Sequence, residues 1–217
     1  MSIFSKHSWR SSKGFTLIEL IVVSAIILII TAFIMFRQSK FNSATLMRSL
    51  SYSVALSVRQ AQVYGTSIRE FSKGSNVFAP GYGIHFPSSG ASSDTYYLFA
   101  DTVPAGGGNG AYDGISEALP AFTLGRGYVV DSLCAVIIGG SSCTPVSSLT
   151  VFFRRPNPDA CISTNASPGS CAPGAAAMYS SAYMQIRSTG NNDLRAIKIS
   201  DTGQISVCLP NLAPPQC

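Results

Sequence analysis

The residues Lys13-Gly14-Phe15-Thr16-Leu17-Ile18-Glu19-Leu20, and the apolar run that follows them, decide how this chain is organised. From position 15 to position 36 the only polar residues are Thr16, Glu19, Ser24 and Thr31. A helix of about 22 residues is roughly 33 Å long, which is enough to cross the hydrocarbon core of a bilayer. The sequence therefore predicts a transmembrane helix over 15–36.

Glu19 is the one acidic residue in this run. A charged side chain at the centre of a membrane costs about 2.5–3.5 kcal/mol on insertion scales, so an acid inside a transmembrane segment indicates a function. The alternative is that Glu19 lies at headgroup depth and is simply solvated.

Three cations precede the run, namely Lys6, Arg10 and Lys13. Positive charge before a membrane segment keeps that end in the cytoplasm. A secretory signal peptide would have a shorter apolar region followed by a small-x-small cleavage site, and 32–37 offers no such site. A plain membrane anchor would need neither Gly14 nor Glu19.

Lys-Gly followed by Phe-Thr-Leu-Ile-Glu resembles the cleavage and methylation signature of type IV pilins and type II secretion pseudopilins. The resemblance covers about the first 50 residues. It implies that prepilin peptidase cuts between Gly14 and Phe15, removes the leader 1–14 and methylates Phe15. It also implies that Glu19, the fifth mature residue, pairs with the N-terminal amine of a neighbouring subunit and sets the register of assembly.

The same resemblance implies partners and a location. The partners would be the prepilin peptidase, other pilins or pseudopilins that pack through their N-terminal helices, and an inner-membrane assembly platform. The protein would be a single-pass protein of the cytoplasmic (inner) membrane with its C-terminal domain outside, and then a subunit of a cell-envelope fibre.

The stretch 37–64 is expected to continue the helix with an amphipathic pattern. Its apolar residues recur every three or four positions, at Leu46, Leu50, Val54, Val58 and Ala61. This spacing predicts one face packed on a sheet, with a partner-binding helix as the alternative. Four cations of this half, at Arg37, Lys40, Arg48 and Arg59, are expected to be solvated near anionic headgroups, and Gly65 is expected to end the helix.

Beyond the helix, 65–217 is predicted to be an extracytoplasmic β-rich domain. Short β runs are broken by Gly, Pro, Ser and Asn, and Asp201-Thr202-Gly203 is a tight hairpin signal. The predicted strands are 82–86, 95–100, 122–124 with 128–130, 149–153, 183–187, 194–200 and 204–208. The predicted linkers are 88–93, 104–110, 141–148 and 156–177. The expected fold class is α+β, a long N-terminal helix packed on an antiparallel β-sheet.

The β-rich half is similar to the H-type minor pseudopilins and related minor pilins. The residues that support this are the Gly65-Thr66-Ser67 step, Gly-Tyr-Gly-Ile-His-Phe at 81–86 and the closing hairpin at 197–208. Many relatives have arginine where this chain has Gln204. The resemblance implies a structural minor subunit of a type II secretion pseudopilus or a type IV pilus, and a generic minor pilin is the other reading.

Six cysteines lie beyond the membrane segment: Cys134, Cys143, Cys161, Cys171, Cys208 and Cys217. An even number indicates disulfides formed in an oxidising compartment, although six cysteines allow 15 connectivities. Nearest-neighbour pairing is favoured because each pair brackets Gly-, Ser- or Pro-rich sequence. Zinc binding has little support because no C-x-x-C pair is present.

The Gly-rich stretch 101–117 is similar to a damaged EF-hand loop. Asp101, Asn109, Asp113 and Glu117 are its candidate calcium ligands, although Asp101 is offset and Glu117 falls one residue late. The alternative is a flexible Gly-rich turn without metal, and no other cofactor is predicted.

The alternative function is that of a minor pilin acting as a DNA receptor in natural transformation. The residues for phosphate contact would be Arg154, Arg155, Arg187, Arg195 and Lys198. Loss of the leader leaves 12 cations against 10 acids, and this balance of +2 argues against nucleic acid. An enzyme is not predicted, because the chain has no Gly-x-Ser-x-Gly motif and His85 is the only histidine after the leader.

Overall fold

The computed structural model describes residues 14–71, 73, 76, 78, 81–87, 93–104, 108–125, 127–190 and 193–209. Within these ranges the side chains of 37–42 and of residue 120 are not described. The chain divides into two compact units, Met1–Ser43 and Ala44–Cys217. Most of the predicted leader, 1–13, lies outside the described residues.

One α-helix, α1, runs from Leu17 to Thr66 over 50 residues. Its bounds lie within two residues of the predicted helix, which began at 15 and ended near 64. The helix is long because neither proline nor glycine occurs between Leu17 and Tyr64. The predicted stop at Gly65 is wrong in detail, since Gly65 lies inside the last turn of α1.

The β-domain contains ten strands in two five-stranded sheets. The first sheet has the order β3-β2-β1-β6-β7 and the second the order β10-β9-β8-β4-β5, with all neighbours antiparallel. The strands are β1 Gly81–Phe86, β2 Thr95–Ala100, β3 Ala118–Thr123, β4 Tyr128–Ile137, β5 Cys143–Val146, β6 Leu149–Arg154, β7 Ala160–Thr164, β8 Tyr179–Ser188, β9 Leu194–Ser200 and β10 Ile205–Cys208. The α+β class is confirmed, but the expectation of one sheet was wrong.

The C-terminal half of α1, from Ala44 to Thr66, packs into the same core as both sheets. Its buried side chains Met47, Val54, Val58 and Ala61 are at most 1% exposed. They meet Ile84 and other inward-facing residues of the first sheet, together with Leu133, Met184 and Ile197 of the second. The prediction that this face of the helix packs on β-structure is confirmed, although Leu46 at its beginning is 40% exposed.

Two strands form where linkers were predicted. β5 lies inside 141–148 and β7 inside 156–177, and each is an edge strand of its sheet. An edge strand tolerates residues that weaken a sheet pattern, such as Pro145, because one of its sides has no ladder partner. The proline and glycine residues around β5 and β7 are therefore the reason why the sequence predicted linkers there.

The Gly-Tyr-Gly start of β1 has a packing reason. A Cβ on Gly81 would lie 2.3 Å from the Phe152 ring, and a Cβ on Gly83 would lie 2.5 Å from the Phe99 ring. Both rings are buried in a small second cluster with Cys171. Aromatic rings that lie over strand glycines cover the exposed backbone, so this glycine pattern belongs to the packing of the sheet.

Candidate functional site

The predicted cleavage site lies immediately before α1. Gly14, Phe15 and Thr16 are non-helical and exposed. A Cβ added to Gly14 would meet no atom within 4 Å. The fold of this chain therefore does not itself require glycine at position 14.

Thr16 and Glu19 together cap the first turn of α1. The Glu19 backbone N–H donates to Thr16 Oγ1 at 3.3 Å, and the Thr16 hydroxyl donates to Glu19 Oε2 at 3.5 Å. A threonine at the N-cap with a glutamate three residues later has the sequence of a capping box, but here the Glu19 carboxylate accepts from the Thr16 hydroxyl, whereas in the full motif it accepts from the N-cap backbone N–H. The role of Thr16 was not predicted, although the Thr-x-x-Glu spacing was a usable signal.

The segment after this cap is apolar and exposed. Leu17–Phe36 has a mean hydropathy of 2.9 over 20 residues, with none of it buried in the structure, so the helix is long and apolar enough to cross a membrane. One side of it forms a groove of about 260 Å³ lined by Phe15, Glu19, Leu20, Val23, Ser24 and Ile27. Glu19 is the only acid on this surface.

Residues 9–35 match a family profile described as the prokaryotic N-terminal methylation motif. The chain has a prepilin-type methylation motif. No curated protein and no solved structure matches the chain. The methylation motif includes Gly14, Phe15 and Glu19 and ends just before Phe36, where the apolar segment also ends. The matched range therefore coincides with most of the segment that is long and apolar enough to cross a membrane.

Beyond the methylation motif, two disulfides cross-link neighbouring segments of the β-domain. Cys134 is bonded to Cys143 between β4 and β5, and Cys161 is bonded to Cys171. These are two of the three nearest-neighbour pairs that the spacing favoured. Cys208 is also disulfide-bonded, and its predicted partner Cys217 lies outside the described residues.

The candidate calcium loop is held by its own backbone. Asp101 accepts the N–H groups of Asn109 at 3.0 Å and Gly110 at 2.8 Å. Glu117 accepts three N–H groups, from Thr102 and Val103 at 2.8 Å and from Asp113 at 2.9 Å. Both carboxylates are fully buried, and their hydrogen bonds link the two ends of the loop.

Burial raises the pKa of Asp101, against the opposing effect of the Gly110 and Asn109 N–H groups. In the described part of the chain, no group of three or more His, Cys, Asp or Glu side chains is arranged to hold a metal. The structure therefore gives the calcium hypothesis no support, and calcium binding stays an untested prediction.

His85 lies beneath this loop, on the face of β1 away from the main core. Its ring stacks on the Tyr112 ring with centroids 4.6 Å apart, and its Nδ1 is 2.8 Å from Thr150 Oγ1. Burial lowers the pKa of His85 to about 4, so the imidazole is neutral near pH 7. Its contacts are those of a packed strand residue.

The five candidate phosphate-binding cations do not share one surface. Arg154 is the last residue of β6 in the first sheet and Arg155 follows it, and Arg154 Nη2 donates to the Cys171 carbonyl at 3.2 Å. The other three are in the second sheet, where Arg187 forms an ion pair with Asp131 at 2.5 Å. Arg195 and Lys198 lie three residues apart on β9 and so point to opposite faces.

Proposed function

We propose that this protein is a structural, prepilin-like subunit that is cut after Gly14, methylated at Phe15 and built into a fibre through α1. The observation that supports this most directly is the methylation motif at residues 9–35. This range contains Gly14, Phe15 and Glu19 and most of the exposed apolar segment of α1. Because none of this segment is buried by the part of the chain that the structure describes, a membrane first and neighbouring helices afterwards would cover it.

Glu19 would act in assembly through the charge of its carboxylate. Cleavage creates a free N-terminal amine at Phe15, four residues from Glu19. An acid inside an apolar helix bundle is costly unless a cation pairs with it, so the amine of an adjacent subunit stabilises one axial register. The Thr16 hydroxyl holds the Glu19 side chain at the helix start until that partner is present.

The finer assignment is a minor pseudopilin of H-type character in a type II secretion pseudopilus, or a minor pilin of a type IV pilus. Its support is the Gly-Tyr-Gly strand and the closing β9–β10 hairpin. In this proposal the protein is inserted once in the inner membrane with the β-domain outside. It is processed by prepilin peptidase and handed to an inner-membrane assembly platform.

The first test is the intact mass of the protein from cells with and without prepilin peptidase. We expect loss of residues 1–14 and a gain of about 14 Da for one methyl group only when the peptidase is present. Gly14→Val should block both changes because the enzyme must approach the backbone at this point. Gly169→Val is the matched control, since Gly169 also has no atom within 4 Å of an added Cβ.

An unprocessed mass in peptidase-positive cells would overturn the proposal.

A second test separates processing from assembly. Glu19→Gln should be cut and methylated normally but should enter sheared fibres poorly, because it cannot pair with an amine by charge. Assembly of Glu19→Gln at the wild-type level would remove Glu19 from the proposed mechanism.

A further inference from the structure

A cavity lies on the face of the first sheet that is opposite the main core. Phe153 of β6 belongs to the main core, whereas its neighbours Phe152 and Arg154 lie on the other face of the strand and line the cavity. The rest of the lining comes largely from the segment 170–177, which a disulfide ties to β7. The cavity measures about 240 Å³, which is below the roughly 300–1,000 Å³ of pockets for drug-sized ligands. The space therefore admits one small ligand.

Arg154 offers this cavity a hydrogen-bond donor that is held in place. Its guanidinium carbon lies 5.3 Å from the centroid of the Phe152 ring, and its Nη2 donates to the Cys171 carbonyl at 3.2 Å. Its Nε is buried, yet no group in the described part of the chain accepts a hydrogen bond from it. A buried donor without a partner costs free energy, and a ligand oxygen that accepted from it would recover that cost.

The charges around Arg154 favour a neutral ligand over an anion. Burial raises the pKa of Asp101 and the positive charge of Arg154 acts in the opposite direction, so the guanidinium already interacts with a buried carboxylate. A second carboxylate, that of Asp159, is exposed and also lines the cavity. It would repel a phosphate or a carboxylate placed beside Arg154.

The polar side chains of the cavity match the hydroxyl groups of a sugar. Arg154 can only donate hydrogen bonds, the Asp159 carboxylate can only accept them, and the Asn157 amide can do both. A hydroxyl group both donates and accepts, so neighbouring hydroxyls on one ring can satisfy all three side chains. The segment 170–177 contributes mainly alanine and glycine to the lining, which leaves room for such a ring.

We propose that the β-domain binds one neutral pyranose ring in this cavity, with Arg154 Nε donating to one hydroxyl and Asn157 and Asp159 hydrogen-bonded to its neighbours. Carbohydrate binding is a function additional to fibre assembly, and it does not require cleavage after Gly14. The C-terminal half of α1 packs in the main core, on the other face of the first sheet, so the helix and the sugar do not compete for one surface.

Saturation-transfer NMR of the full-length protein tests this proposal. The protein is solubilised in lauryldimethylamine oxide, because a sugar-based detergent would itself compete for the cavity. The probes are the methyl glycosides of glucose, galactose, mannose and N-acetylglucosamine, each at millimolar concentration. We expect saturation transfer to at least one glycoside, and no transfer to any of them would overturn the proposal.

Two phenylalanine substitutions locate the binding. Ala175→Phe puts a ring into the cavity and should abolish the signal, whereas Ala176→Phe is the matched control at an adjacent exposed position outside the lining. Asn157→Ala with Asp159→Ala removes two exposed partners of the sugar and should weaken binding by roughly tenfold or more. The same signal in the two phenylalanine variants, or full affinity in the double alanine variant, would overturn the proposal.

Competition identifies the class of ligand. Inorganic phosphate and glycine, as an anion and a zwitterion, should not displace the glycoside, and its affinity should be the same at low and high salt because it carries no charge. Displacement by either compound, or a steep loss of affinity with salt, would overturn the neutral-sugar assignment. The same measurement on Gly14→Val separates the two proposals, since an unprocessed chain should still bind the glycoside.

Discussion

A Cβ placed on Gly65 would lie 2.4 Å from the carbonyl oxygen of Phe153 and 2.7 Å from its Cβ. Gly65 is in the last turn of α1, and Phe153 is in β6, an interior strand of the first sheet. The two backbones meet here with no side chain between them. Gly65 therefore sets how closely the C-terminal half of α1 approaches the sheet.

Gly65→Ala should lower the free energy of unfolding of the β-domain. Overpacking of a tight core contact costs about 1–3 kcal/mol, and the backbone of an interior strand has little freedom to move. The gain of about 1 kcal/mol from better helix propensity offsets only part of this cost. Urea unfolding of the detergent-solubilised protein measures the difference. Gly169→Ala, with open space around it, should be close to neutral, and wild-type stability in Gly65→Ala would contradict the packing role.

Gln62 joins α1 to two loops of the β-domain. Its buried Nε2 donates to the Pro158 carbonyl at 2.7 Å and to the Gly203 carbonyl at 3.0 Å. Gln62→Ala leaves both carbonyls without this donor and should cost about 1–3 kcal/mol of unfolding free energy. Gln60→Ala, two positions along the helix and partly exposed, should cost clearly less. Equal losses of unfolding free energy in the two variants would show that the buried hydrogen bonds of Gln62 contribute no extra stability.

The lowered pKa of His85 predicts that the β-domain becomes less stable in acid. Its pKa falls from 6.5 to about 4 on folding because burial disfavours the charged imidazole. The unfolded chain therefore binds the proton more readily, and stability decreases as pH falls from about 6.5 to about 4. Between pH 7.5 and pH 5 the His85 contribution to this loss is on the order of 2 kcal/mol.

The variant His85→Gln isolates this effect, because Asp101 and the other titrating groups remain in both proteins. Urea unfolding at several pH values should give a flatter pH dependence for His85→Gln than for the wild type. The same slope in both proteins would mean that His85 titrates alike in the folded and unfolded states.

The loop between Asp101 and Glu117 should be stable without calcium. Its carboxylates already accept five backbone N–H groups, so a bound ion would have to compete with them. We expect the same Tm in excess calcium and in EDTA, since a ligand that binds only the folded state would raise it. Glu117→Gln should lower the Tm, because an amide cannot accept all three N–H groups, and this variant verifies that the assay detects the loop. A rise in Tm with calcium would restore the metal hypothesis.

DNA should bind weakly to the processed protein. The five candidate cations lie on two sheets, and Arg187 is already paired with Asp131. A gel-shift titration of the cleaved protein should show no salt-sensitive complex, in contrast to a receptor that neutralises several phosphates. Tight binding that weakens steeply with salt, and that Arg154→Ala reduces, would favour the DNA-receptor alternative.

The sequence by itself determined the features that depend on contiguous residues. The methylation motif matched at residues 9–35 and the apolar helix could both be predicted, because each is a local pattern of neighbouring residues. The length of α1 followed, to within two residues at each end, from the absence of breakers. The Asp201-Thr202-Gly203 turn followed from its own residue types. The Cys134–Cys143 and Cys161–Cys171 pairs close short loops, so the short spacing between the cysteines was enough to predict each pair.

Only the tertiary structure decided the features that depend on distant residues. β1 pairs with β6, which lies about 65 residues later, and the sequence of neither strand identifies the other as its partner. The split into two sheets, the edge strands β5 and β7 and the contact of Gly65 with Phe153 all follow from such long-range pairing. Only the structure showed that the carboxylates of Asp101 and Glu117 are buried and accept backbone N–H groups within their loop. The local sequence determines which side chains and backbone groups each segment offers, whereas tertiary packing determines which of these groups come into contact.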